Sequence, residues 1–280
     1  MQLNRRFLTG SFAMMCFVGS LGLTANVEEQ KIPDLTQMIA GVRANVASLH
    51  RKLPDFVCQE EILRRDIKGN ETTKETRYLL SLQATHNPHD AANQFLESRD
   101  VISITTNGKD EKIRKYSPPI GLRGGFARDL FTFFDDPATS CFDFKPAITD
   151  EAKDRGIAVL DVSLNKNDGL QACKHIPADL STARVWVDTH SLQVIRIQER
   201  TMHELEYSQP FAHTNGTYSF SPVIEFGAVK IHAVNYWLPR SKSVTFVKTK
   251  GSYSISYSAQ YTDYHQFATS ITIRTQQETN

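Results

Sequence analysis

The chain has 280 residues, with 32 Lys and Arg against 31 Asp and Glu, a formal net charge of +1 at pH 7. Hydrophobic residues make up 40% and charged residues 22%, which is enough apolar material for a core and too little charge for a disordered chain. Acids and bases are interspersed, so no global field draws the chain to nucleic acid or to an anionic membrane surface, and nucleic-acid binding is set aside.

The first residues carry the most specific local signal. Asn4-Arg5-Arg6 supplies positive charge, Phe7 to Leu23 an apolar run, and Gly22-Leu23-Thr24-Ala25 a small-residue end, the three parts of a secretory signal peptide with cleavage after Ala25. Arg5-Arg6-Phe7-Leu8 partly matches a twin-arginine signal. The other reading is a retained anchor helix, for which the run falls short of the ~20 residues that span a bilayer. No later segment could cross a membrane. The expected organisation is a signal peptide over 1–25, a linker over 26–32 and a single β-rich domain over 33–280, with the chain exported to the periplasm or the exterior.

Export changes what the cysteines mean, because thiols outside the cytoplasm tend to be oxidised. Cys16 leaves with the signal. Of the remaining three, Cys141 and Cys173 bracket a strand-like segment in polar contexts, SCFDF and QACKH, and are the preferred disulfide pair. Cys58 lies in the alternating stretch DFVCQEEI and is expected to be a buried or half-buried free thiol.

In chain order, Pro33-Asp34 opens a helix: Asp34 can cap, and Leu35, Met38, Ile39, Val42, Val46 and Leu49 form one apolar stripe that Pro54 ends. Strand signals follow. Phe56 to Ile67 and Thr72 to Thr85 read as a hairpin across Lys68-Gly69-Asn70, and Glu97 to Thr106 as a strand turning at Asn107-Gly108. Phe126, Leu130, Phe133 and Phe134 then fall at helical spacing and predict a short apolar helix. Strands return at Cys141 to Phe144, Gly156 to Leu164, Val223 to Trp237, Ser243 to Lys248 and Ser252 to Phe267, with a last one at Ser270 to Arg274. In the hairpin Ala183 to Thr201, Ala183, Val185 and Val187 point one way and Arg184, Trp186 and Asp188 the other, with Ile195 and Ile197 continuing the apolar face. One-sided alternation with helices at only two places predicts an α+β protein built on an antiparallel sheet.

Motifs that carry chemistry are incomplete. His86, His89 and Asp90 could meet a metal, but Asn87-Pro88 makes this stretch a turn for backbone reasons. His203-Glu204-Leu205-Glu206 lacks the second histidine of a zincin helix, and Gly121, Gly124 and Gly125 lack the Gly-Lys-Ser/Thr ending of a phosphate loop. No Gly-x-Ser-x-Gly elbow exists. The reading is therefore a non-enzymatic protein without a metal or cofactor.

An export signal, one amphipathic helix, a long antiparallel sheet and a short apolar helix interrupting it is an order that resembles the periplasmic lipoprotein-carrier superfamily of LolA, LolB and RseB. The phrases Leu53-Pro54-Asp55-Phe56-Val57-Cys58, Val185-Trp186-Val187-Asp188, Val194-Ile195-Arg196-Ile197, Tyr236-Trp237-Leu238-Pro239 and Tyr261-Thr262-Asp263-Tyr264 also look like a group of uncharacterised exported bacterial proteins. The resemblance, over roughly residues 33 to 275, implies a strongly curved antiparallel sheet, an incomplete barrel wrapping the N-terminal helix and a short plug helix. It implies an apolar cavity bordered by Phe126, Leu130, Phe133, Phe134, Trp186 and Trp237, which would hold an apolar ligand, a lipid or the lipid chain of a lipidated protein. The alternative is an envelope structural or interaction module with a filled core and a protein partner.

Overall fold

The computed structural model describes residues 34–86, 95–113, 122, 128–134, 138–147, 149, 156–165, 173, 182–199, 205–207, 216–248 and 251–267. The expected signal peptide and linker, Phe126, His89, Asp90, His203, the three glycines at 121, 124 and 125, and the strand expected at 270–274 lie outside them.

The sequence stripe becomes helix α1, Leu35–Lys52, with Asp34 as its cap: Asp34 Oδ1 accepts from the Gln37 N–H at 2.8 Å. Met38, Val42 and Val46 are buried along one side, the i, i+4 spacing that puts side chains on one face. The helix stops where Leu53 turns to extended backbone ahead of Pro54. Asn45 fixes it to the sheet, its Nδ2 donating to the carbonyls of Ser191 and Leu192 at 3.0 and 2.9 Å. Gly41 allows the close approach, since a Cβ there would run into Leu192 Cδ1.

Next come β1 Phe56–Lys68, β2 Glu71–His86, β3 Phe95–Thr106 and β4 Lys109–Asp110. Gly69, at φ +63°, and the Asn107-Gly108 pair, both left-handed, make the two tight turns. Helix α2, Arg128–Phe134, a 3-10 turn at Ala138–Cys141 and β5 Phe142–Pro146 follow. The remaining strands are β6 Ile157–Leu164, β7 Thr182–Asp188, β8 Val194–Glu199, β9 Leu205–Tyr207, β10 Gly216–Phe220, β11 Val223–Ile231, β12 Val234–Lys248 and β13 Tyr253–Gln266.

All thirteen strands of the described residues belong to one antiparallel sheet in the order β4-β3-β2-β1-β13-β12-β11-β8-β7-β6-β5, with β10 pairing β12 and β9. It does not close on itself: the architecture is α+β, an incomplete antiparallel barrel with few helices, as the alternation and the resemblance lead one to expect. The register writes the two faces out as two rows. Leu160, Val185, Ile197, Ile224, Lys242, Ala259, Ile62 and Tyr78 sit side by side across eight strands and all but Tyr78 are buried or nearly so. The next row, on the other face, runs Trp186, Arg196, Glu225, Ser241, Gln260 and Glu61. The helices pack on the first, inner face: Met38, Val42 and Val46 of α1 and Leu130, Phe133 and Phe134 of α2 share one core cluster with Val185, Ile197 and Ile224. A second cluster, with Phe56, Ile62, Leu80, Leu82, Phe246 and Tyr257, lies under β1, β2, β12 and β13.

Three details depart from expectation. The run Val223 to Trp237 is two strands, because the chain reverses at His232-Ala233, with His232 at φ +58°; no glycine or proline marks that turn. Strand β12 then runs on through Pro239, which is tolerated at a bulge where Glu225 faces Ser241 and Phe226 faces Pro239. In β8, Val187 pairs Val194 while Trp186 pairs Arg196, so Ile195 is an extra, bulged residue. Ile197 is in the core, but Ile195 leaves its face and borders a groove on the other one.

Cys141 and Cys173 are joined, with Cα atoms 5.5 Å apart and a sequence separation of 32, a closure that stabilises by roughly 3–4 kcal/mol in the chain-entropy model. Cys58 is a buried free thiol.

Candidate functional site

The inner face gathers most of the residues singled out from sequence. Leu130, Phe133 and Phe134 are 2%, 0% and 1% exposed, and the two rings meet β5: Phe133 lies edge-on to Phe142 at 5.0 Å, and Phe134 is tilted against Phe144 at 5.5 Å. Trp237 packs against the same cluster, and its indole Nε1 donates to the Val194 carbonyl at 2.6 Å. Trp186, one row over in register from Val185, is on the opposite face. One aromatic contact was missed: His50, buried on α1, stacks on Phe131 at 4.7 Å and holds α2 against α1.

Beyond the helices the inner face changes character. Along β1, Phe56, Cys58, Glu60 and Ile62 are all buried in phase, so one carboxylate occupies a position that alternation reserves for core. Glu60 is 0% exposed. Arg99 reaches it from β3 across β2, with Nε 2.6 Å from Glu60 Oε2, and its Nη1 lies 3.1 Å from Glu97 Oε2. Among the described residues Glu60 Oε1 has no hydrogen-bond partner. Lys242, from the inner row of β12, is buried and lies close enough to stabilise the Glu97 carboxylate. Tyr261, paired with Glu60, and Tyr264, whose hydroxyl donates to the Pro239 carbonyl at 2.8 Å, complete the surround.

Burial sets the protonation here. It pushes the Cys58 thiol far up, helped by Glu60, so this cysteine is a neutral, unreactive thiol. Burial and Glu60 likewise raise the Tyr261 hydroxyl. For Arg99, burial opposes the charge, but the Glu60 and Glu97 carboxylates outweigh it and hold the guanidinium protonated. Burial pushes the Glu97 carboxyl up to about 7, against the pull of Arg99 and with a further push from Glu60.

This shift has a measurable consequence. The ordinary value for Glu97 is 4.5, so between there and about 7 the folded chain holds a proton that the unfolded chain has released. Stability therefore falls as pH rises through that window. Glu97→Gln should flatten the trend, which urea midpoints of both chains from about pH 5 to about 8 will read.

The remaining sequence candidates fall elsewhere. His86 is the last residue of β2; Asp55 Oδ1 accepts from its N–H at 2.8 Å and lies 2.7 Å from its Nδ1. Among the described residues no three His, Cys, Asp or Glu are grouped to hold a metal, and no helix is long and apolar enough to cross a membrane.

These features define an incomplete antiparallel barrel whose inner wall carries a two-helix apolar lining at one end and a sealed ionic cluster at the other. No family model matches the chain, and no curated protein matches it. Among solved structures it is similar to a LolA superfamily protein from Nitrosomonas europaea, at 9% identity and TM-score 0.37, over 84% of this chain and 94% of the other. It is also similar to a DUF1329 family protein from Desulfovibrio piger, at 10% identity and TM-score 0.38, over 81% and 92% of the two chains.

Proposed function

We propose that this is an exported binding protein that holds an apolar ligand or a lipid chain against the inner face of the half-barrel. The observation that carries the reading is helix α2. Seven residues are too few to be helical on their own, so Leu130, Phe133 and Phe134 keep it folded by filling the inner face. An acyl chain offering the same apolar area can take their place at little net cost, since burial is roughly proportional to area and indifferent to its source. Leu130, Phe133, Phe134 and Trp237 then carry the inner-face site, whereas Trp186 faces the other side, and the ligand is a lipid or the lipid chain of a lipidated protein. The basic N-terminus, its apolar run and the Cys141–Cys173 disulfide support export.

The test is organic extraction of the purified chain followed by lipid mass spectrometry, with titration of a fluorescent fatty acid. Saturable uptake of the probe and repeated recovery of one lipid class support the reading. Recovery of nothing, with no uptake, overturns it. The near-zero exposure of the three α2 side chains favours the second reading, an envelope interaction module with a filled interior, and that outcome would leave it standing.

A further inference from the structure

The outer face holds a groove of about 690 Å³ over the middle of the sheet, a volume in the range of small-molecule sites. Its floor is Trp186 and Arg196, neighbours on β7 and β8, and Arg240 stands at its mouth. Arg196 lies over the indole, its guanidinium carbon 4.7 Å from the ring centroid. Trp186 is 7% exposed. Its Nε1 and the Nε of Arg196 are both buried, and among the described residues neither donor has a hydrogen-bond partner.

A buried N–H left unpaired costs about 1–3 kcal/mol. Two of them on stacked side chains, beside a second arginine, are what a site for acceptor oxygens has to provide before its ligand arrives. Charge agrees. Glu225 borders the groove, but Ser241 Oγ donates to its Oε2 at 3.1 Å, and two guanidinium groups outnumber its single carboxylate. The rest of the lining is Ile157, Ile195 and Phe226, with the Gln260 amide as its one other polar group. Ile195 is there because the β8 bulge turns it outward.

We infer that this groove binds a small molecule that carries a carboxylate on a planar apolar body. A carboxylate presents two acceptor oxygens, one for each of the two unpaired donors, and its charge strengthens both hydrogen bonds. Arg196, which is partly exposed, swings on its stem to take one oxygen and uncovers the Trp186 N–H for the other. Arg240 adds charge from the mouth, and the body lies against the indole and the isoleucines. The site is on the face opposite α1 and α2 and does not depend on the inner-face reading, so either can fail while the other stands.

Indole N–H signals of the 15N-labelled chain test it. There are two tryptophans, and Trp237→Phe assigns the Trp186 signal. Benzoate should move that signal saturably, while benzyl alcohol and inorganic phosphate leave it in place. Arg196→Gln should weaken benzoate about tenfold and Arg240→Gln a few-fold, in line with loss of a charge-assisted bond. Arg240 is exposed, so its variant remains informative if Arg196→Gln disturbs the fold. A Trp186 signal that benzoate does not move, an affinity that neither arginine variant changes, or an equal response to phosphate overturns the inference.

Discussion

Arg99→Leu should lower the stability of the fold by about 3–5 kcal/mol, the usual cost of breaking a buried ion pair from one side. Two carboxylates, Glu60 at 0% and Glu97 at 7% side-chain exposure, would lose the guanidinium between them, and the protein interior offers no water in exchange. The thermal midpoint should drop by roughly 10 °C for a chain of this size. The triple change Glu60→Leu, Glu97→Leu and Arg99→Leu should recover most of that loss, because removing all the charge also removes its desolvation. Calorimetry of the two variants separates a cluster that holds the fold together from one kept for another reason. Full stability in the triple variant would say that the charges serve binding or specificity.

Phe133→Ala should cost about 3–5 kcal/mol, since it empties a fully buried ring site between α2 and β5. The structure predicts a second effect of opposite sign. Loosening α2 should raise the affinity for a fluorescent fatty acid if ligand and helix compete for the same wall. Urea denaturation reads the first effect and probe titration the second. A loss of probe affinity in a folded variant would instead mean that the ring itself touches the ligand.

How far these features can be read from sequence follows from how local their causes are. Helix α1 is legible because the Asp34 cap and the 3.6-residue stripe are both contained in its own residues. The β1–β2 hairpin is legible because alternation runs unbroken to Gly69. The turn at His232 is not, since a left-handed histidine carries no composition signal. Nor is the register of β8: alternation places Ile195 with Ile197, and only the pairing of Trp186 with Arg196 reveals the bulge that parts them. The ionic cluster shows the limit best. Glu60 stands in phase with Phe56, Cys58 and Ile62, a visible anomaly, but its partner is 39 residues away on a strand that is not its neighbour. Alternation places Trp186 opposite Val185, while the arginine that covers it follows only from the register.

A sheet that stops short of closure keeps a free border at each end of its main strand path, and each is a template on which another copy could grow. Among the described residues, side chains hinder that growth at both ends of the path. At one, the two-residue strand Lys109–Asp110 caps the tip of β3 with opposite charges. At the other, β5 ends in Lys145-Pro146, and the proline ring has no hydrogen to offer an incoming strand. Concentrated solutions of the protein should accordingly stay free of fibrils, although eleven strands lie side by side in one unbroken path.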